Sequence, residues 1–309
     1  MEVFGEGLIR IGIAAAVVVV VGALLALAVV AAGRAPATAR PAVTLIVLCG
    51  PAAALLLVGL AIPATRTAWL SLQDESGPAG LGLQAFTGAL SDDSEGSYLG
   101  NTLLWSILVP SLSTSLGLAL ALLMSRLRRS SMLQRLVMLP LAMAYVGACI
   151  AWGLSFGWID SAQSWAGGLS EPWNSLLLMA VMVWVLVGFA MVILAAAIDG
   201  IPADLMEAAR LDGATGWGLL TKVTLPMLRS TVLVVFVTIM AVSIKAFDVV
   251  RTLTNGGFGT QVLANEMFEQ AFVIGDSARG SALAMLLLIG ISPLAAYLLT
   301  RFRHERFGA

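Results

Sequence analysis

Seven long apolar runs dominate the sequence, and each is long enough to cross a bilayer as a helix. A transmembrane helix needs about 20 predominantly apolar residues, because it rises only 1.5 Å per residue. The runs are Leu8–Ala32, Ala42–Ile62, Asn101–Met124, Leu136–Ile159, Leu176–Ile198, Thr231–Val250 and Ser281–Leu299. They lack the polar–apolar alternation of a membrane β-barrel strand. An all-α integral membrane protein with about seven transmembrane helices is therefore predicted.

The composition excludes several other classes of protein. Charged residues make up 11% of the 309 residues, whereas a soluble domain carries roughly 25%. The 17 basic and 18 acidic residues leave no basic footprint for nucleic acid. With two cysteines and one histidine, the chain lacks the parts for a disulfide framework, a cysteine-based metal site or histidine-based catalysis.

Basic residues concentrate in alternate loops and thereby predict the orientation. Most of the 17 lysines and arginines lie in the loops 33–40, 126–135, 199–229 and 301–309. The other loops are mainly acidic. Because short loops rich in Lys and Arg stay in the cytoplasm, we expect the N-terminus outside and the C-terminus inside.

The first apolar run has an alternative interpretation as a cleaved signal peptide. It lacks a basic start, since Glu2 and Glu6 precede it, and Arg34 and Arg40 follow it. A retained helix is therefore the favoured interpretation. The longest stretch between runs, 63–100, is too short for an independent domain, so any function outside the bilayer requires partners.

The loop 199–229 is predicted to form two short helices. Pro202 suits the first turn of a helix, where its missing N–H costs nothing, and Asp204 favours the positive helix end. Gly213 predicts the stop of the first helix. Thr215 is a candidate cap for the second helix, and Pro226 is expected to end it.

This loop also carries apolar residues where a water-facing loop should be polar. They are Leu205, Ala208, Ala209, Leu211, Trp217 and Leu220. An exposed apolar patch usually marks a partner surface. The alternative is that the patch folds back onto the ends of the membrane spans.

The segment EAARLDGATGWGLLTKVTLP in this loop resembles the EAA signature of membrane subunits of binding-protein-dependent ABC importers. The matching positions are Glu207, Ala208, Ala209, Asp212, Gly213, Leu225 and Pro226. The resemblance implies a pair of coupling helices that dock in a groove of an ATPase subunit. It also implies a second permease subunit, two ATPase copies, an extracellular or periplasmic solute-binding protein, and a location in a bacterial or archaeal inner membrane.

Other segments are similar to the sugar-importer branch of this family. They include Asn101-Thr102, Phe247-Asp248 and the run Leu253–Thr260. Many sugar permeases have Gly-Pro where this chain has Phe258-Gly259, a departure that resembles the alpha-glucoside subgroup. The resemblance implies an additional N-terminal helix in residues 1–40 and a six-helix importer domain in residues 41–309.

The resemblance implies import of a sugar, with a di- or oligosaccharide or an alpha-glucoside favoured. Glycerol phosphate or another polyol is the alternative within the class. An ion-coupled secondary transporter is the alternative outside it, although such proteins usually show internal repeats and intramembrane carboxylates. None of these alternatives gives the chain a catalytic role.

The chain has no phosphate-binding loop of the G-x-x-x-x-G-K-[ST] type, since its only lysines are Lys222 and Lys245. We therefore expect it to bind no cofactor itself, with ATP and Mg²⁺ used by the partner ATPase.

Polar residues inside the spans are candidates for a translocation pathway. Lys245 and Asp248 are predicted to share one helical face, either as a structural pair or as part of the pathway. Trp184, Ser243 and Asn255 could add the aromatic, hydroxyl and amide groups that sugars require. Other tryptophans, including Trp152, are expected in an aromatic belt near the membrane interface.

Overall fold

The computed structural model describes residues 49–74, 77–91, 98–125, 130–155 and 173–307. The predicted span Leu8–Ala32 and the segment 1–40 lie outside these residues. The chain divides into two compact units, Met1–Thr67 and Ala68–Ala309. In the first unit, the described residues belong to α1 (Cys49–Leu70), which is helical throughout and mostly apolar.

The second unit is built from helices, with one short antiparallel hairpin that the sequence did not predict. In the hairpin, Gln73 pairs with Leu81 and Asp74 with Gly77. The elements of the second unit are β1 (Gln73–Asp74), β2 (Gly77–Leu81), α2 (Gln84–Ser91), α3 (Tyr98–Met124), α4 (Ser130–Ala142), α5 (Tyr145–Ser155), α6 (Trp173–Asp199), α7 (Ala203–Leu211), α8 (Trp217–Ile244), α9 (Asp248–Leu253), α10 (Leu263–Phe268), which a π-helical segment (Glu269–Ile274) follows, and α11 (Ser277–Phe307).

Five of the described helices are long and apolar enough to cross a membrane: α1, α3, α6, α8 and the Ser277–Thr300 part of α11. The bent pair α4–α5 raises the number to six if it counts as one span. The predicted all-α membrane fold is thus confirmed, while the first predicted span, Leu8–Ala32, lies outside the described residues.

The predicted span Leu136–Ile159 is not one continuous helix within the described residues. Met132–Ala142 and Tyr145–Ser155 meet at 97°, and the corner follows a tight turn in which the Met143 N–H donates to the Pro140 carbonyl at 3.1 Å. The second half, α5, packs against α9 and α6. Pro140 lies inside α4 just before the corner, and the packing of α5 stabilises the bend.

The predicted span Thr231–Val250 is also corrected, since α8 ends at Ile244. The chain turns through Lys245, and a separate helix, α9, begins at Asp248. Lys245 and Asp248 therefore do not share a helical face. Both are exposed, and no ion pair joins them among the described residues. Asp248 instead occupies the first turn of α9, where a carboxylate complements the positive helix end.

The core of the second unit lies where α3 packs along α6. Trp105 and Val109 of α3 and Met179 and Met191 of α6 are almost fully buried there. A Cβ at Gly117 would come within 2.5 Å of the Ala190 Cβ, so the glycine lets the two helices approach closely. Small residues commonly have this role between membrane helices.

Candidate coupling surface and translocation residues

The first helix of the 199–229 loop, α7, ends where the sequence predicts. Gly213 has φ +83°, a conformation that glycine adopts without steric cost. The Gly213 N–H donates to the Arg210 carbonyl at 3.0 Å, and the Ala214 N–H donates to the Ala209 carbonyl at 2.9 Å. These two bonds form a Schellman motif, which satisfies carbonyls at the helix end.

At its start, α7 differs slightly from the prediction. Pro202 is the N-cap residue, with φ −56° and ψ 130°, and lies before the first turn. Asp204 in the first turn and Arg210 in the last turn both complement the helix dipole.

The second helix of the loop is not a separate short helix. Gly216, with φ +49°, is its N-cap, so the predicted cap at Thr215 is wrong. Pro226 was expected to end this helix, but α8 continues through it to Ile244. A π-helical turn at Leu220–Thr224 ends two residues before Pro226. This wider turn accommodates the proline, which has no N–H to donate.

The same arrangement occurs at Pro63 in α1, where the π-helical turn Leu57–Ala61 comes before the proline. In both helices the turn ends two residues before the proline. The chain therefore uses one local device twice to keep a proline inside a long helix.

The outer face of the loop is open. The exposed fractions are 48% for Leu205, 85% for Leu211 and 76% for Trp217. Glu207 and Ala208 are also exposed, and no residue of α7 is buried. Of the other signature positions, Asp212, Gly213 and Pro226 are exposed, whereas Ala209 and Leu225 are half-buried.

The inner face of the loop borders a cavity of about 530 Å³ at the ends of α3 and α6. Met206 and Arg210 of α7, Leu122 of α3 and Ile198 of α6 line it together with Leu220 of α8. The apolar residues of the loop are thus divided between an inner and an outer face. Leu220 turns inward, while Leu205, Leu211 and Trp217 remain available to a partner.

The predicted pathway residues do not form one cluster. Trp184 of α6 is 37% exposed and makes an edge-to-face contact with Trp152 of α5, with ring centroids 5.8 Å apart. Trp152 is half-buried and packs against α6 through this contact. Ser243 is buried and its hydroxyl donates to the Ile239 carbonyl at 2.9 Å, so it is engaged within α8.

Asn255 lies in a loop that α3 and α6 hold in place. The Asn101 side-chain amide donates to the carbonyls of Gly259, at 2.8 Å, and Gln261, at 2.9 Å. The Thr102 hydroxyl accepts the Leu263 N–H at 2.9 Å. The sequence drew attention to Asn101-Thr102 but gave no indication of this anchoring role.

A polar cavity of about 500 Å³ opens beside this loop. The described residues that line it are Tyr98, Thr254, Asn255, Gly257, Gln261, Glu266, Glu269, Gln270, Ile274 and Arg279. Of the five predicted pathway residues, only Asn255 lines it. Sequence reasoning missed the cavity, although the polar residues that recur between 261 and 270 offered a signal.

Three hydrogen bonds fix the two carboxylates of this cavity. The side-chain amides of Gln261 and Gln270 each donate to one oxygen of Glu266 at 2.7 Å. Arg251 donates to Glu269 at 2.7 Å, and its guanidinium lies 4.7 Å above the Phe268 ring. The carboxylates therefore have defined orientations before any ligand arrives.

The polar cavity and the coupling loop lie at opposite ends of α3. Tyr98, the first residue of α3, lines the polar cavity, whereas Leu122 and Ser125 line the cavity behind the loop. A helix of 27 residues is about 40 Å long. No group of three or more metal-ligating side chains occurs in the described part of the chain.

The fold and these surfaces define a multi-pass membrane protein of the permease class. Residues 113–307 match the family described as the binding-protein-dependent transport system inner membrane component, and the chain belongs to this family. Its members are pore-forming subunits of the inner membrane and are not themselves enzymes, so the chain is a permease subunit.

Two curated relatives cover most of the chain. It is 35% identical over 271 residues to the osmoprotective compounds uptake permease protein GgtC of Synechocystis sp., covering 82% of this chain and 97% of the relative. It is 34% identical over 275 residues to the alpha-glucoside transport system permease protein AglF of Rhizobium meliloti, covering 84% of this chain and 82% of the relative.

A solved structure shares the fold at lower identity. A chain of a bacterial alginate ABC transporter, solved in complex with an alginate pentasaccharide-bound periplasmic protein, matches with a TM-score of 0.69 at 19% identity. The match covers 87% of this chain and 96% of the other. It supports the all-α permease architecture.

Proposed function

We propose that this chain is the permease subunit of an ATP-driven ABC importer for a sugar, with a di- or oligosaccharide or an alpha-glucoside as substrate. An extracellular or periplasmic solute-binding protein delivers the sugar, and a second permease subunit completes the pore. The observation that carries the proposal is the exposed α7 face with Glu207 at its centre, in a chain of the importer family. The names of GgtC and AglF support the substrate class.

In this proposal the face formed by Leu205, Glu207, Ala208, Leu211 and Trp217 docks in a groove of an ATPase subunit. Two ATPase copies bind ATP and Mg²⁺, and this chain binds neither. Apolar side chains around one carboxylate suit a protein interface, because the carboxylate gains charge-assisted hydrogen bonds while the apolar groups leave water. The small Ala208 allows the partner backbone to approach closely.

Because α8 is continuous, it transmits movement along its whole length in this mechanism. Closure of the ATPase dimer moves α7 and the start of α8 at Trp217. Because α8 is helical from Trp217 to Ile244, a displacement at Trp217 acts about 40 Å away. There it reaches the corner at Lys245 and the start of α9, which packs against α5. The spans then rotate between inward- and outward-facing states as rigid bodies.

In the expected topology, the loop 199–229 and the C-terminus are cytoplasmic and the N-terminus is outside. The distribution of Lys and Arg supports this orientation. The coupling face and the polar cavity then lie on opposite sides of the membrane, as ATP-driven import from outside requires.

Affinity purification of the subunit from mild detergent tests the proposal. Mass spectrometry should identify a second permease and an ATPase in a ratio of about one to two. Recovery of the subunit alone, in a form that transports sugar after reconstitution, would contradict it and would favour an ion-coupled secondary transporter. Uptake of glycerol phosphate in place of a sugar would retain the importer and change its substrate.

A further inference from the structure

We propose that the polar cavity between the start of α3 and the segment 254–279 is a binding site for an uncharged glycosyl unit. This inference rests on the proposed function and adds to it that the sugar is uncharged and where it binds. The cavity lies at the end of α3 that is remote from the coupling loop. A substrate entering from the side opposite the ATPase would therefore meet it.

The groups that line the cavity fit a polyhydroxylated ligand. Asn255, Gln261 and Gln270 contribute amides, Thr254 a hydroxyl and Glu266 a carboxylate. Together they offer both donors and acceptors, which sugar hydroxyls need because each hydroxyl donates one hydrogen bond and accepts others. Of the described lining residues, Ile274 is the only one with an aliphatic hydrocarbon side chain. The cavity volume of about 500 Å³ is within the usual range for small-molecule sites.

The charges around the cavity favour a neutral ligand. Glu266, Glu269 and Arg279 line it, and Arg251 forms an ion pair with Glu269 at 2.7 Å. Two negative charges are thus balanced by two positive charges. A phosphate or carboxylate ligand would approach two oriented carboxylates with no excess positive charge to compensate. A cation would meet the Arg279 guanidinium and carboxylates that already accept hydrogen bonds from Gln261, Gln270 and Arg251.

The site is built before a ligand binds. Gln261 and Gln270 are 4% and 8% exposed, and each fixes one oxygen of Glu266. Gly256 has no Cβ, and a Cβ there would overlap the Gln261 carboxamide. Because the groups are already oriented, little conformational entropy is lost when a sugar binds.

Two neighbouring residues provide a matched pair of variants. Ile274 is 62% exposed and lines the cavity, whereas Val273 is 55% exposed and does not. Ile274→Trp should fill the cavity without touching the hydrogen bonds of Glu266, and Val273→Trp adds the same bulk outside it. Glu266→Gln keeps the side-chain shape and removes the charge that orders the two amides.

The experiment measures direct binding to the full-length subunit in lipid nanodiscs by saturation-transfer NMR. The probes are maltose and trehalose as neutral glycosides and glycerol 3-phosphate as an anion. We expect at least one glycoside to bind wild type and Val273→Trp equally, and Ile274→Trp and Glu266→Gln to bind it at least tenfold more weakly. Glycerol 3-phosphate should not compete.

Three results would overturn the site: equal affinity of wild type and Ile274→Trp, preference for the phosphate, or no binding of either glycoside. Because the assay contains no ATPase, these results are independent of the coupling proposal. Loss of ATPase in the affinity purification, with intact glycoside binding, would contradict the coupling proposal and leave the site in place.

Discussion

The side-chain amide of Asn101 lies 2.8 Å from the carbonyl oxygen of Gly259, a residue 158 positions later in the chain. The same amide donates to Gln261 at 2.9 Å. One side chain at the start of α3 therefore holds the loop that contributes Asn255 and Gln261 to the polar cavity. Two non-glycine residues of this loop, Asn255 and Phe258, have positive φ, a geometry that needs external support.

Asn101→Ala should destabilise this loop. It removes both hydrogen bonds and leaves two half-buried carbonyls without this donor, which costs about 1–3 kcal/mol. We expect a lower melting temperature of the detergent-purified chain and weaker glycoside binding. Ser111→Ala is the control, because the Ser111 hydroxyl bonds only within α3, to the Ile107 carbonyl at 2.6 Å. Equal melting temperatures for the two variants would contradict the anchoring role.

Alanine variants at Gly213 and Gly218 distinguish the effect of backbone conformation from the effect of steric crowding. A Cβ meets nothing within 4 Å at either position, but only Gly213 has positive φ, at +83°. Gly213→Ala should cost about 1 kcal/mol and disturb the Schellman motif. Gly218→Ala lies in a helix and should be neutral or slightly stabilising.

Uptake by reconstituted importer checks this pair. Gly213→Ala should lower the rate and the amount of ATPase retained on purification, and Gly218→Ala should lower neither. If both variants transport at the wild-type rate, the end geometry of α7 has no part in coupling.

Gly117 tests the packing of α3 on α6. Its Cβ would lie 2.5 Å from the Ala190 Cβ and 2.9 Å from the Met191 nitrogen, so Gly117→Ala should destabilise the chain by about 1–3 kcal/mol. Adding Ala190→Gly should recover part of this loss. Gly147→Ala, where nothing lies within 4 Å, is the control. Thermal unfolding in detergent compares wild type, Gly117→Ala, Gly117→Ala/Ala190→Gly and Gly147→Ala. A Gly117→Ala variant as stable as wild type would refute the close approach.

Lys245 and Asp248 should act independently. They stand on either side of the turn between α8 and α9 and form no ion pair in the described chain. The effects of Lys245→Ala and Asp248→Ala on sugar uptake should therefore add within about 0.5 kcal/mol in the double variant. A double variant that transports better than either single variant would show that the two charges pair in a functional state.

The sequence predicts the parts of this fold that depend on local composition. The apolar runs locate α3, α6, α8 and α11, because a bilayer requires long uninterrupted apolar helices. Gly213 locates the end of α7, because only glycine readily takes that conformation. Both inferences need no knowledge of neighbouring elements.

Features that depend on tertiary packing escape the sequence. The corner between α4 and α5 follows Pro140, but the direction that α5 takes depends on contacts with α6 and α9. The sequence predicts a helix end at Pro226, but α8 continues through this residue after a π-helical turn. The polar cavity joins Tyr98 to residues more than 150 positions away, a distance over which no local pattern gives information.

The central claim is that α7 couples this chain to an ATPase, and ATP-driven sugar uptake by a Glu207→Ala importer tests it most directly. Asp199→Ala is the control, since Asp199 is also exposed and lies at the end of α6 beside the same loop. We predict that Glu207→Ala abolishes uptake while the folded subunit remains in the membrane, and that Asp199→Ala transports normally. Normal uptake by Glu207→Ala would contradict the account.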